Sequence, residues 1–541
     1  MSRASIARQS GRRPRVEWLA PVGLLASIGL LFVSFPLSIW AASDYSLDSL
    51  SGAINLAYRL GDRTLYPAPS MGNHPGVPQY FVSWVSLALS GFPISTSDLG
   101  FFDEVLDNAE RFRTIAIVLF TLFGAGGLYA LARVAQEPRI PRLLLPLLCL
   151  VWFVSTPAAA ISFTGLSIDA FGLLLTAWMV GALFGIARSP RIGSLAAVSA
   201  GGLAAASYLT KLSYIGLFFG LCAALAAAIA SAPKDRRHNL TMSALFVLSA
   251  TLTVLSFAFW FIEWSTFVSL LDFHRGVIFH SGLYGGGDPV PPGAVTMLHS
   301  LGDSLRDGAW SVPLTLAGGT ASALWGIKQL FDRTARADAV FAIGAGVAGG
   351  FSALSTLTHY APQYSAGTAT TLPLLGLALF LLARRSGVPA RSLMAAGLAL
   401  AALMTVPTVH EVVRLSRERA LRSQEAQADR VQLDELAAAR SCLTVFAYHV
   451  PFREFGAAFL LKTSGVSRLV YAYLAEKRSA AGSPLQELVP RHACAFLIDR
   501  DYFRTADIAR ATSLLDGGAE PGDDVLALRT VFVLSRRGSL R

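Results

Sequence analysis

Apolar runs of bilayer-crossing length follow one another along most of this chain, and that leaves it few possible folds. A bilayer core takes about 20 apolar residues per helix. Inside it every backbone N–H and C=O must be bonded within the protein, which an α-helix does alone. The runs number roughly eleven on that measure. They begin near Trp18, Thr114, Arg142, Ile168, Ile192, Leu212, Met242, Ala309, Ala339, Thr370 and Ser392. Of 541 residues, 53% are hydrophobic and 15% charged, outside the usual range of soluble domains. The expected class is an all-α polytopic membrane protein.

The net charge of +10 does not mark a nucleic-acid partner, because the basic residues fall in short loops between apolar runs. With the N-terminal tail (residues 1–17) in the cytoplasm, one set of loops carries Arg139, Arg142, Arg188, Arg191, Lys234, Arg236, Arg237, Lys328, Arg333, Arg336, Arg384, Arg385 and Arg391. The other set is acidic, with Asp44, Asp48, Asp98, Asp103, Glu104, Asp272 and Asp288. This positive-inside asymmetry puts both long loops, 41–113 and 263–310, on the external face of a plasma (inner) membrane. The run 18–40 exceeds a signal-peptide core of roughly 7–15 residues and reads as an uncleaved first helix.

The first external loop carries the most chemistry. Asp44 and Asp48 follow the first helix, and a carboxylate beside a low-dielectric slab is a candidate base. The loop returns with His74, Pro75, Tyr80 and Trp84, which suit headgroup depth. Residues 53–60 and 81–89 read as short interfacial helices. The second loop contains Y-G-G-G-D-P-V-P-P-G, a gate or a plain connection. Asp272, His274 and His280 precede it, with spacing for a metal or for ordinary hydrogen bonds. The turn T-L-T-H-Y-A-P-Q-Y-S offers His359, Tyr360 and Tyr364 to a sugar, a phosphate or an interfacial belt.

Two ionisable residues interrupt the apolar pattern. Lys211, in Y-L-T-K-L-S-Y, has no polar loop around it. It is either kept for an anion or a lysine snorkelling from a tight turn. Asp169, in L-S-I-D-A-F-G, opens the fourth helix as a site residue or as an acid on the helix dipole. Beyond 410 the composition changes. Residues 411–440 read as a charged connecting helix, and 441–541 as a small external α/β domain with strands in C-L-T-V-F-A-Y, R-L-V-Y-A-Y-L, C-A-F-L-I-D and R-T-V-F-V-L-S. Cys442 and Cys494 lie there, as a disulfide or two buried thiols.

This layout resembles the GT-C superfamily of integral membrane glycosyltransferases, in particular the branch with protein O-mannosyltransferases and lipid A aminoarabinose transferases. The resemblance rests on Asp44 after the first helix, His74-Pro75-Gly76 late in the same loop, Asp169 opening the fourth helix, and A-A-A-S-Y-L-T-K ending on Lys211. It covers roughly the first 265 residues, and beyond them, within the 18–410 membrane domain, only the H-Y-A-P-Q-Y turn looks similar. Asp44 is followed by Tyr45 where that family often has Glu, and His74-Pro75 by Gly76 where it has a second Pro.

The resemblance implies a sugar moved from a polyprenyl-phosphate carrier to a hydroxyl on a glycan, lipid or protein, with inversion. Asp44 would be the base, with Asp169 orienting the acceptor or sharing that role. Lys211 would bind the phosphate. Asp48, His74, His359, Tyr360 and Tyr364 would line the substrate site. His74 is also a candidate to hold a divalent cation, and no metal site is otherwise expected. The rival classes are a lipid or solute transporter (flippase) and a non-catalytic assembly subunit. Transporters show repeated halves and broken helices, and the sequence leads one to expect neither.

Overall fold

The computed structural model describes residues 22–23, 44–61, 76–98, 100–134, 140–141, 143–164, 166–259, 264–280, 289, 293–332 and 336–440, with strand residues 445–447, 496–499, 524–527 and 531–535. The chain forms two compact units: 1–31, 73–79 and 117–413 in the first, and 32–72, 80–116 and 414–541 in the second. The first span, His74, Cys442 and Cys494 lie outside the described residues.

The helices are α1 (Asp44–Gly61), α2 (Val77–Leu89), α3 (Phe101–Asp107), α4 (Ala109–Val134), α5 (Leu144–Val154), α6 (Pro157–Thr164), α7 (Gly172–Ala187), α8 (Ser194–Thr210) and α9 (Ile215–Ser231). They continue with α10 (Arg236–Phe257), α11 (Trp264–Phe279), α12 (Ala294–Arg306), α13 (Ser311–Phe331), α14 (Arg336–Thr358), α15 (Ser365–Ala369), α16 (Leu372–Arg385) and α17 (Ala390–Arg440). Among the described residues, seven helical stretches are long and apolar enough to cross a membrane: Ala109–Leu131, Ile168–Ala187, Leu212–Ser231, Pro233–Phe257, Arg336–Thr358, Ser365–Arg385 and Ala390–Glu418. The chain is a polytopic helical protein.

In the first unit α7, α8, α9, α13, α14 and α16 pack together, and glycine sets how closely. A Cβ on Gly220 of α9 would lie 2.5 Å from the Gly344 carbonyl oxygen and 2.6 Å from Ala348 Cβ, both on α14. Backbones can approach this far only over small residues. Gly220→Val is expected to push α9 and α14 apart and cost about 1–3 kcal/mol, as overpacking does. A wild-type unfolding midpoint in detergent would disprove the contact.

The runs expected from Arg142 and Thr370, each short or interrupted by polar residues, adjoin breaks: α5 and α6 part at Ser155–Thr156, and the short α15 and α16 part at Thr370–Thr371. Backbone groups freed at a break need partners in an apolar phase, and α13 supplies several of them. Thr156 Oγ1 and Ser365 Oγ share a hydrogen bond of 2.6 Å. Ser311 Oγ donates to the Ser365 carbonyl at 2.9 Å, and Ser311 N–H donates to the Ser155 carbonyl at 2.9 Å. Thr315 Oγ1 donates to the Thr368 carbonyl at 3.2 Å.

The expected connecting helix is not a separate element. It continues the last span as α17, 51 residues long and uninterrupted at Pro407. The second long loop is largely helical too, as α11 and α12, while most of Y-G-G-G-D-P-V-P-P-G lies outside the described residues.

In the second unit, α1 is buried around its whole girth, with Asn55, Leu56 and Arg59 covered as well as Leu50, Ala53, Ile54, Ala57 and Tyr58. Tyr58 donates to the Asp98 carbonyl at 3.2 Å and meets Phe101 edge-on. The 53–60 helix is therefore part of a longer one, and protein covers its polar residues as well as its apolar ones. The same unit contains β1 (Val445–Ala447), β2 (Phe496–Asp499), β3 (Asp524–Ala527) and β4 (Val531–Ser535), in the order β1-β2-β4-β3. β1 and β2 are parallel and the other pairs antiparallel. Three of these strands fall in the segments expected to be strands, and β3 does not. The segments between strands lie outside the described residues, so a sheet is described here and not a whole α/β domain.

Candidate functional site

Asp169 and Lys211, 42 residues apart, meet in the first unit. Each is carried by a short irregular junction. Before Asp169 the chain leaves α6 and passes Leu166, whose φ of 52° is in the left-handed region. That conformation costs a non-glycine residue about 1–3 kcal/mol unless its surroundings enforce it. Gln79 Nε2 donates to the Leu166 carbonyl at 3.0 Å and helps do so. Ser167 then caps a 3₁₀ turn, Ile168–Phe171, that leads into α7. Lys211 is the single extended residue between α8 and the 3₁₀ turn Leu212–Tyr214 that opens α9.

Lys211 Nζ lies 3.0 Å from Asp169 Oδ2, with the two side chains 1% and 2% exposed. Tyr214 donates its hydroxyl to Asp169 Oδ1 at 3.0 Å. Ser167 donates to Oδ2 at 2.9 Å. The Lys211 ammonium also sits over the Tyr364 ring, 5.1 Å from its centroid, a cation–π contact. Lys211 is thus not a lysine snorkelling to the surface. Asp169 is both a first-turn acid and half of a buried ion pair. Neither Ser167 nor Tyr214 is among the residues expected above; a Ser-x-Asp cap marks the first in the sequence, while nothing local marks the second.

The turn that supplies Tyr364 is fixed elsewhere. Tyr360 donates to Asp307 Oδ2 at 3.1 Å, and His359 Nε2 and the His280 carbonyl are 3.1 Å apart. These two residues tie the turn to the segment around α11 and α12, and of the three candidates here only Tyr364 touches the ion pair. Burial first, then the Asp307 charge, pushes the Tyr360 phenol above its ordinary value of 10.0. The folded chain keeps that proton where the unfolded chain has lost it. The associated stability is complete below about pH 10 and is lost as pH rises from there through the folded value. Tyr360→Phe should make unfolding less sensitive to pH above about 10. An unchanged alkaline profile would exclude that role.

His274 is buried, with Nδ1 3.0 Å from the Tyr208 hydroxyl, whereas Asp272 is exposed. Among the described residues no three His, Cys, Asp or Glu side chains converge as metal ligands. Asp44 and Asp48 lie in the first turns of α1, in the second unit, and their side chains are outside the described set.

The opposite ends of the same helices are basic. Arg191 Nε bonds Asp235 Oδ1 at 2.7 Å near the start of α10. Arg336 Nη1 caps the end of α7 by donating to the Ala187 and Ser189 carbonyls, each at 3.0 Å, and its Nε reaches Ser231 at the end of α9 at 3.0 Å. Arg385 Nε bonds Asp338 Oδ2 at 2.9 Å. The Asp169–Lys211 pair lies at the other end from this cluster.

No protein-family model matches the chain, and no curated protein is significantly similar to it.

Proposed function

We propose that this chain is a membrane glycosyltransferase that takes a sugar from a polyprenyl-phosphate carrier and passes it to a hydroxyl acceptor. The observation that carries the reading is the meeting of Asp169 and Lys211 at the ends of the helices away from the basic loops. With the basic ends cytoplasmic, the pair lies toward the external face, at the depth where a carrier phosphate would sit. Full membrane topology would then comprise roughly eleven spans, and the C-terminal sheet would belong to a small external α/β domain.

In this reading the acceptor oxygen gives its proton to Asp44 and bonds to the anomeric carbon. The bond from that carbon to the phosphate oxygen breaks, and its electron pair leaves with the phosphate, stabilised by Lys211. One displacement inverts the centre. Asp169 is buried and bonded at both oxygens, so it acts on Lys211 rather than on the acceptor. Tyr364 borders the phosphate position, Asp48 and His74 remain with the first loop, and His359 and Tyr360 hold the turn. His74 also remains the candidate for a divalent ion.

The two broken spans favour a second reading, a lipid or solute transporter. Against it, the Ser155, Ser365 and Thr368 carbonyls beside the breaks accept hydrogen bonds from α13 rather than being left for an ion. Mass spectrometry of surface glycans separates the two. Cells lacking the protein should lose one sugar modification. Wild type should restore it, and Asp44→Asn or Lys211→Met present at wild-type level should not. An unaltered glycan profile in the deletion would reject the enzyme.

A further inference from the structure

We infer that Tyr214 and Ser167 are positioning residues that hold the Asp169 carboxylate by themselves, leaving Lys211 able to exchange Asp169 for a phosphate. Only the exchange step rests on the carrier reading.

Asp169 meets three donors through two oxygens. Tyr214 takes Oδ1, while Ser167 and Lys211 share Oδ2. Two of the three are neutral hydroxyls, and hydrogen bonds to a charged acceptor are roughly twice as strong as neutral ones. Both hydroxyls are fixed. Ser167 is the cap of the turn that carries Asp169, and the Asp169 N–H lies 3.3 Å from its Oγ. Tyr214 is 1% exposed, and its hydroxyl fits beside Gly172, where a Cβ would come within 3.0 Å of it. A phenol so enclosed acts through Asp169 rather than on a substrate. Lys211, by contrast, is a compact charge on a flexible four-carbon stem with rotatable donors. Its Nζ already faces the half-buried Tyr364 ring, the direction in which it would turn.

A buried ion pair held by nothing else is costly to open, because one charge is left without compensation. Here the carboxylate keeps two donors when the ammonium moves. The pair is therefore a resting contact, and its opening provides the cation for a phosphate.

The full chain in detergent micelles tests both halves. Lys211→Met and Tyr214→Phe should each unfold at a moderately lower temperature. Combined, they should fall by clearly more than the sum, because the carboxylate then loses two donors. Additive shifts would overturn the holding role. Titration with farnesyl phosphate, with farnesol as the phosphate-free control, tests the exchange. Tyr214→Phe and Ser167→Ala should each weaken farnesyl phosphate binding about tenfold, the effect of one charge-assisted bond. Ser167→Thr should restore it, and farnesol binding should not change. Wild-type affinity in both variants would overturn the exchange. If the wild-type chain ignores farnesyl phosphate, the carrier reading and the exchange fall together, and the thermal coupling still decides whether Tyr214 and Ser167 hold Asp169.

Discussion

Asp169→Ala should be the most destabilising single substitution in the buried cluster, by roughly 3–5 kcal/mol, the usual cost of removing one partner from a buried ion pair. Lys211 Nζ would lose the carboxylate 3.0 Å away. The Tyr364 face stays, but it compensates an ammonium much less well than a carboxylate does. Lys211→Met should cost less, because Ser167 and Tyr214 still donate to the carboxylate it leaves behind. Asp169→Ala with Lys211→Met should recover part of the loss, since the buried ammonium goes too. Denaturant unfolding in micelles, followed by tryptophan fluorescence, ranks the three variants. The account fails if Asp169→Ala is no worse than Lys211→Met, or if the double variant shows the sum of both losses.

The same cluster shows what could be read from the sequence. Helix existence was legible because a bilayer permits little else, and each expected span after the first overlaps an observed helix, though among the described residues seven stretches are long and apolar enough to cross. Lys211 and Asp169 stood out because charge in an apolar run is costly. Their pairing was not legible. It depends on two one-sided junctions, Leu166–Ser167 and Lys211 itself, bringing the ends of α7 and α9 together, and no local pattern encodes that contact.

The runs from Arg142 and Thr370 are legible as short or interrupted by polar residues, but the positions of the breaks are not. Ser155-Thr156 and Thr370-Thr371 are short polar pairs that an intact apolar helix also accommodates. What permits a break is a set of donors on another helix, the Ser311 N–H and the Ser311 and Thr315 hydroxyls, within bonding distance of the carbonyls beside it. The helical character of the second loop was hidden by its prolines and its glycine run, which lie between α11 and α12, although Gly276 and Gly302 fall within those helices. In the first loop, the apolar residues from Leu50 to Tyr58 are compatible with lipid or protein as their cover. The side chains of Tyr58 and Phe101 decide for protein.

Sugar transfer in membranes from cells carrying Asp44→Asn should fall by about a hundred- to ten-thousandfold, the range for loss of a general base. Stability should hardly change. Asp44 opens α1, where an acid gains only about 0.3–1 kcal/mol from the helix dipole, and asparagine suits a helix start about as well. Lys211→Met should slow transfer by about a hundred- to a thousandfold, the usual cost of removing one group that stabilises developing charge. The two losses should differ in kind. Without the base, a carrier phosphate can still bind, so donor saturation should occur at wild-type concentration with a lower maximal rate. Without the ammonium, donor affinity should fall along with the rate. The measurement is transfer of radiolabelled sugar from a polyprenyl-phosphate pool at several donor concentrations, normalised to protein by immunoblot. Wild-type transfer by Asp44→Asn would remove Asp44 from the chemistry. Loss of transfer with unchanged donor affinity in Lys211→Met would separate the buried pair from the phosphate and return it to a purely structural role.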